Sequence, residues 1–265
     1  MSVIYVEITA TRGSAPRDAG TVMAVTAEGT QGTIGGGALE YRAIAMAREM
    51  LADGVAAHEE TVPLGPALGQ CCGGSVWLRF GRDPRFVDLD QFLPPLPPMA
   101  PGAATAPLWI WGAGHVGRAV ARLAAPHGAF DLTWIDTGEA RFPVSQPQKI
   151  TCLPCPDMPR LAHHAPQNAH HLIFTYSHEI DFALCAALLA RPFASCGLIA
   201  SATKKARFYK RLRAMGLDPA RLTSPIGDPA RGKHPDLIAH STLTALLKNG
   251  VPADDSARDP RTAIA

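Results

Sequence analysis

The chain is poor in charge and in aromatic rings. Asp, Glu, Lys and Arg make up 18% of its 265 residues, and Phe, Trp and Tyr 6%. The net charge is +2, so there is no excess of one sign to recommend nucleic acid or an anionic membrane surface as a partner. Six cysteines are too sparse for a disulfide framework in a chain of this length. Free thiols in the cytoplasm are the expectation. No apolar run reaches the length of a membrane span, and the first residues, MSVIYVEITATRG, read as a strand rather than a leader. What the chain does have is apolar residues, at 47%, enough to fill the cores of one large or two modest domains.

Proline divides it. Residues 91–107, QFLPPLPPMAPGAATAP, hold six prolines in 17 positions, a composition that can continue neither a helix nor a central strand. The expected division is a domain over 1–90, a linker over 91–107, a second domain over 108–251 and a polar tail over 252–265.

In the first half, VIYVEITA (3–10), TVMAVT (21–26) and SVWLRF (75–80) read as strands, and the turn chemistry of AEGTQG makes a hairpin of the second. ALEYRAIAMAREMLA (38–52) reads as a helix. The result is a small α+β domain. The second half alternates strand and helix: LWIW (108–111), a helix from His115 to Pro126, FDLTWID (130–136), KITCLP (149–154), HLIFTYS (171–177), a helix over 179–190, CGLIAS (196–201), a basic helix over 204–216 and a last helix over 234–250. Such alternation predicts an α/β domain with a parallel sheet covered on both faces.

WIWGAGHVG places Gly112, Gly114 and Gly117 in G-x-G-x-x-G spacing between a strand and a helix, and Asp136 ends the next strand 19 residues after Gly117. This is a Rossmann fingerprint in its full context. The first glycine permits the turn, the second lets the backbone approach a phosphate, and the third lets helix and strand pack. The helix N-terminus offers N–H groups to an anion, and Asp136 is expected to accept from ribose hydroxyls. A nucleotide in this crevice stays open, because the fold outlives changes of ligand. His115 reads either as a solvent-facing helix residue or as a contact to that phosphate.

Other motifs are more ambiguous. The basic helix carries Lys204, Lys205, Arg207, Lys210, Arg211 and Arg213. A solvated face explains such a run, although Ser201, Thr203 and Lys204 follow a strand end where an anionic group could be held. Cys152 and Cys155 have C-x-x-C spacing without a second such pair, which favours incidental cysteines over zinc or redox chemistry. Cys185 reads as core, and His163, His164, His170 and His171 flank a strand.

Three segments of the first half are more specialised than plain turns. TRGSAPRDAG carries Arg12, Ser14 and Arg17. GTIGGGALE sets Gly35, Gly36 and Gly37 before a helix, and LGQCCGG sets Gln70, Cys71, Cys72 and Gly73 between glycines. Glycine clusters admit a ligand to the backbone, and arginines with free N–H groups favour an anion. Adjacent cysteines rarely bridge each other, so a nucleophile or a soft ligand remains.

These segments carry a resemblance. ATRGSAPRDAGTVMAV, GTIGGGALEYRA and LGPALGQCCGGSVWL resemble the amino-terminal half of the XdhC family of xanthine dehydrogenase accessory proteins. WIWGAGHVGRAVA, TYSHEIDFAL, GLIASATKKARFYKRL and SPIGDPARGKHPDLIA resemble that family's Rossmann half, with IGDPARGKHP standing where IGSKRP-like wording is common. The resemblance implies a carrier that binds the molybdenum cofactor, molybdopterin. It implies shielding of that cofactor while a cysteine desulfurase replaces an oxo with a sulfido ligand, then delivery to the molybdenum-binding subunit of xanthine dehydrogenase. No turnover of its own is expected. On this reading Cys71 is the preferred molybdenum contact, with Cys72 beside it and Gln70 donating to an oxo ligand or to the pterin. Two rivals stand beside it, an NAD-dependent oxidoreductase and a thiol redox sensor. A homodimer stays open.

Overall fold

The computed structural model describes residues 2–64, 74–83, 93–99 and 104–249. The amino-terminal part is an antiparallel sheet backed by one helix. Its strands are β1 (Ile4–Arg12), β2 (Val22–Val25), β3 (Thr30–Gly32), β4 (Ala57–Pro63) and β5 (Ser75–Gly81), in the order β3-β2-β1-β5-β4. The expected hairpin is present: Met23 to Val25 pair with Gly32 to Thr30. Strand β4 is an addition to the sequence reading, paired with β5 from Ala57↔Gly81 to Pro63↔Ser75.

Alternation explains how this sheet is covered. Ile4, Val6 and Ile8 of β1, with Val76, Leu78 and Phe80 of β5, point to one face and are buried under α1 (Gly37–Asp53). That helix answers with Leu39, Ala43, Ala47 and Met50 at helical spacing. Each large apolar side chain removed from water here contributes about 2 kcal/mol.

The carboxyl-terminal part is a parallel sheet of β6 (Ala106–Trp111), β7 (Phe130–Asp136), β8 (Ile150–Pro154), β9 (His170–Ile173), β10 (Ser195–Leu198) and β11 (Leu222–Thr223), ordered β11-β10-β9-β6-β7-β8. This is the doubly wound Rossmann order. Helices α2 (His115–His127) and α6 (Pro235–Lys248) contribute to the core on one face. Helices α3 (Met158–Leu161), α4 (His178–Leu189) and α5 (Ala202–Ala214) contribute to the core on the other. Strand order reverses between β6 and β9, so the crevice at their carboxyl ends is the place such a sheet holds a ligand.

Strand β9 is shorter than the apolar run suggested, ending at Ile173, and both of its histidines are inside the fold. His171 accepts from Trp111 Nε1 at 3.2 Å, and His170 shares a 2.7 Å hydrogen bond with Ser195. The described part of the proline segment lies on the Rossmann unit. Leu96 and Met99 pack on its core, while His240 and His127 bond the carbonyls of Pro94 and Pro97, each at 2.8 Å. The polar tail lies outside the described residues.

Candidate functional site

The glycine-rich segments of the two halves meet. Gly74, the last glycine of the cysteine segment, immediately precedes β5; its carbonyl accepts from Leu64 N at 2.7 Å, closing the β4–β5 connection at its base. A Cβ at Gly74 would collide with the carbonyl of Arg12 and stand 2.5 Å from that of Ser14. Two residues further along the Arg12–Arg17 loop, Pro16 fills the space over Gly35, where a Cβ would come within 2.5 Å of the proline ring. Gly36 in turn lies 3.4 Å, measured from its missing Cβ, from the His115 ring of the Rossmann loop. The Arg12–Arg17 loop, the triple-glycine loop, Gly74 and the fingerprint thus form one band across the domain boundary. Arg12 and Ser14 are exposed along it and Arg17 is buried. Gln70, Cys71, Cys72 and Gly73 lie outside the described residues; the described residues that flank their segment are Leu64, just after β4, and Gly74, just before β5.

A carboxylate holds each glycine loop. In the amino-terminal domain it is Glu40, in the first turn of α1. Its Oε2 accepts from Thr33 Oγ1 at 2.5 Å, Ile34 N at 2.9 Å and Gly36 N at 3.1 Å. Gly35 N is taken by Thr33 Oγ1 at 3.0 Å. The nest expected to receive a ligand anion at Gly35 and Gly36 therefore surrounds the chain's own carboxylate, and Gly37 continues as the first residue of α1. Glu40's other oxygen, Oε1, meets His115 Nε2 at 2.6 Å across the boundary. Burial pushes the Glu40 carboxyl up, but the bonds from His115, Thr33 and Gly36 outweigh it, and the net shift is downward.

In the Rossmann domain the carboxylate is Asp136, which is fully buried. Oδ2 accepts from Ala113 N at 2.6 Å, inside the fingerprint loop. Oδ1 accepts from Thr137 N at 2.6 Å and Arg141 Nε at 3.2 Å. Asp136, expected to accept from ribose hydroxyls, has both oxygens engaged in fixing the loop. The other glycines behave as the fingerprint requires. Gly112 has φ +116 and a Cβ there would stand 2.5 Å from the Phe174 carbonyl; a Cβ at Gly117 would collide with the Gly112 carbonyl. Gly114 differs: it is exposed, and a Cβ would have nothing within 4 Å. It caps α2 without a side-chain hydrogen bond, and no acidic residue occupies that helix's first turn. The second glycine therefore faces the open room that a phosphate group needs.

Sequence reasoning missed three residues here. Glu40 is one. The others are Arg141, just after β7, and Tyr41, beside Glu40 on α1. Arg141 Nη1 donates to Tyr41 Oη at 2.7 Å, a second link between the domains. A third comes from the unusual IGDPARGKHP segment, where Lys233 Nζ reaches Asp18 Oδ1 at 2.7 Å. Each contact joins positions too far apart in sequence for any local pattern to reveal.

Other expectations resolve differently. Lys204 is buried and its Nζ is engaged by Asp181 and the Ile199 carbonyl, while Ser201 caps the backbone N–H of Lys204. The Lys204 ammonium is thus engaged inside the fold. Cys152 packs toward the core on one sheet face and Cys155 toward the core on the other, so the C-x-x-C pair is split by the sheet. Cys185 and Cys196 are buried, and burial raises both thiols, Cys196 to about 12. Among the described residues no three His, Cys, Asp or Glu side chains gather as a metal site, and no helix is long and apolar enough to cross a membrane.

Two family models match the chain. Residues 108–246 match the XdhC Rossmann domain, and residues 2–62 match the XdhC and CoxI family. The uncharacterized protein YqeB of Escherichia coli (strain K12) is 29% identical over 266 aligned positions, which cover 93% of this chain and 43% of that protein; the chain spans less than half of its relative's length. A xanthine dehydrogenase structure from Bacillus halodurans aligns with TM-score 0.47 at 16% identity, covering 97% of this chain and 94% of that one. A Rossmann-fold NAD(P)-binding family protein from Shigella flexneri aligns with TM-score 0.38 at 14% identity, over 55% of this chain and 87% of that one.

Proposed function

The chain belongs to the XdhC family, and from that premise we propose that it is an accessory protein of xanthine dehydrogenase that carries the molybdenum cofactor. In this reading the cargo is bound at the domain boundary, protected there during sulfuration by a cysteine desulfurase, and handed in its sulfido form to the molybdenum-binding subunit of the dehydrogenase. The chain acts as a carrier and a partner, without turnover of its own.

One observation carries the proposal. The fingerprint loop, the Arg12–Arg17 loop, the triple-glycine loop and the base of the cysteine-bearing connection are contiguous across the two domains. A pterin dithiolene with a phosphate asks for an anion site and for soft sulfur close by. The described residues fit the first demand: Gly114 is open, α2 has no side-chain cap at its N-terminus, and Arg12 is exposed on the same band. Cys71 and Cys72 would supply the second chemistry, and Gly74, which follows their segment, belongs to the same band. Gln70 would donate to an oxo ligand or the pterin, and Cys71 would stand closest to molybdenum. Glu40 and Asp136 would hold the two loops in place without taking part in the binding themselves.

The test is transfer. The chain purified from a strain that makes the cofactor is mixed with cofactor-free xanthine dehydrogenase. Activity should appear in proportion to the molybdenum added with the chain. A chain that retains its molybdenum, or brings none, would refute the carrier role.

A further inference from the structure

Arg141 is held more firmly than its surface position requires. Nε is fixed by the buried Asp136 carboxylate, whose other oxygen holds Ala113 N in the fingerprint loop. Nη1 is fixed by the Tyr41 hydroxyl. One face of the guanidinium lies over the Tyr176 ring, 4.5 Å from its centroid. Tyr176 sits on the β9–α4 connection, and that connection packs on Gly112 through Phe174. Three elements thus bring three flat groups to the carboxyl ends of β6, β7 and β9, where the crevice lies.

The group is not spent. Arg141 keeps 26% of its side chain exposed, and among the described residues nothing accepts from its Nη2. Tyr41 is 60% exposed and Tyr176 50%, although large aromatic rings are generally covered in a fold. The Tyr41 hydroxyl accepts from Arg141, so its own proton is available to an acceptor. A fixed cationic plane, two exposed rings and two unspent donors form a surface for a flat ring with acceptor atoms on its edge.

We infer that Arg141, with Tyr41 and Tyr176, is the stacking platform of the crevice and receives a fused-ring heterocycle, a pterin or a purine, whose edge acceptors take the Nη2 and Tyr41 donors. The choice of pterin deepens the carrier proposal and rests on it; the platform itself does not.

The experiment is a fluorescence titration of the full chain with neopterin, repeated with AMP as competitor. Neopterin emission should be quenched saturably. Tyr176→Ala, on an exposed loop, should weaken binding about tenfold, the worth of one stacked ring. Tyr41→Phe should weaken it less, and Val144→Ala, at a fully exposed position, should leave it unchanged. All three variants should melt like the parent. AMP bound through the same residues, with neopterin ignored, would support the platform and assign it to a purine. Binding of neither probe, or equal affinity in the parent and Tyr176→Ala, would overturn the inference. The two proposals fail separately. A chain that delivers molybdenum while Tyr176→Ala keeps its affinity for neopterin loses only the platform. A chain that binds AMP through Tyr176 and delivers no molybdenum loses only the carrier role.

Discussion

Glu40 of the amino-terminal domain and His115 of the Rossmann fingerprint loop share a 2.6 Å hydrogen bond, and through it the two glycine-rich loops are joined. Glu40 does two jobs with its two oxygens, ordering its own loop with one and reaching the other domain with the second.

These jobs separate by mutation. Glu40→Ala leaves the Ile34 and Gly36 N–H groups without their acceptor and should cost about 3 kcal/mol in urea unfolding of the full chain. His115→Ala removes only the Glu40 contact, one of the three links between the domains. Its ring is partly exposed, so the loss should stay under about 1 kcal/mol. Equal losses for the two would contradict this division.

Stability should fall with pH. Burial, with lesser contributions from Arg191 and His170, lowers the His171 pKa from 6.5 to about 3. Below 6.5 the unfolded chain takes up a proton that the folded chain refuses, so folding weakens as pH drops toward 3. The slope is up to about 1.4 kcal/mol per unit. Burial of His170 acts in the same direction. Glu40, whose folded pKa is depressed below 4.5, stabilises the fold above that value and adds a further loss beneath it. A melting-temperature profile should decline below pH 6.5 and steepen below 4.5. His171→Gln, which keeps an acceptor for Trp111, should flatten the upper part of it.

Buried thiols should be quiet. At pH 8 a thiol reagent should label native Cys185 and Cys196 no faster than the chain unfolds, because burial keeps both protonated and inaccessible. Mild oxidation should yield no Cys152–Cys155 disulfide, since the two side chains pack on different faces. A peptide map showing that bridge would contradict the placement.

The fingerprint glycines should differ in kind. Gly112→Ala meets both a positive φ and the Phe174 carbonyl and should cost more than about 2 kcal/mol. Gly114→Ala has open space and ordinary backbone angles, so its stability should change by less than about 0.5 kcal/mol. It should nevertheless lower affinity for a phosphate-bearing ligand. Equal stability losses at the two positions would refute the assignment of Gly114 to a ligand.

The sequence was most legible where one local pattern suffices. WIWGAGHVG and the WID strand end located β6, α2 and β7 because strand, turn and helix each left a periodic or glycine signal. Strand β4, AHEETVP, went unread: two glutamates, a histidine and a terminal proline hide a strand stabilised by pairing with β5 along its whole length. At the site, the glycines and arginines were visible as types, but the carboxylates that occupy their N–H groups were not. Glu40 looks like any helix glutamate until His115, 75 positions away, is brought to it. Arg141 gains its meaning from Tyr41, 100 positions away. Tertiary contacts at such separations leave no trace in local spacing.

The most direct test of the account is the molybdenum and pterin content of the full chain purified from a cofactor-producing strain, beside Cys71→Ala and Gly114→Ala. The parent should carry stoichiometric molybdenum and pterin, and both variants should lose the cofactor with their folds intact. A parent free of both molybdenum and pterin, or variants that retain the full content, would contradict it.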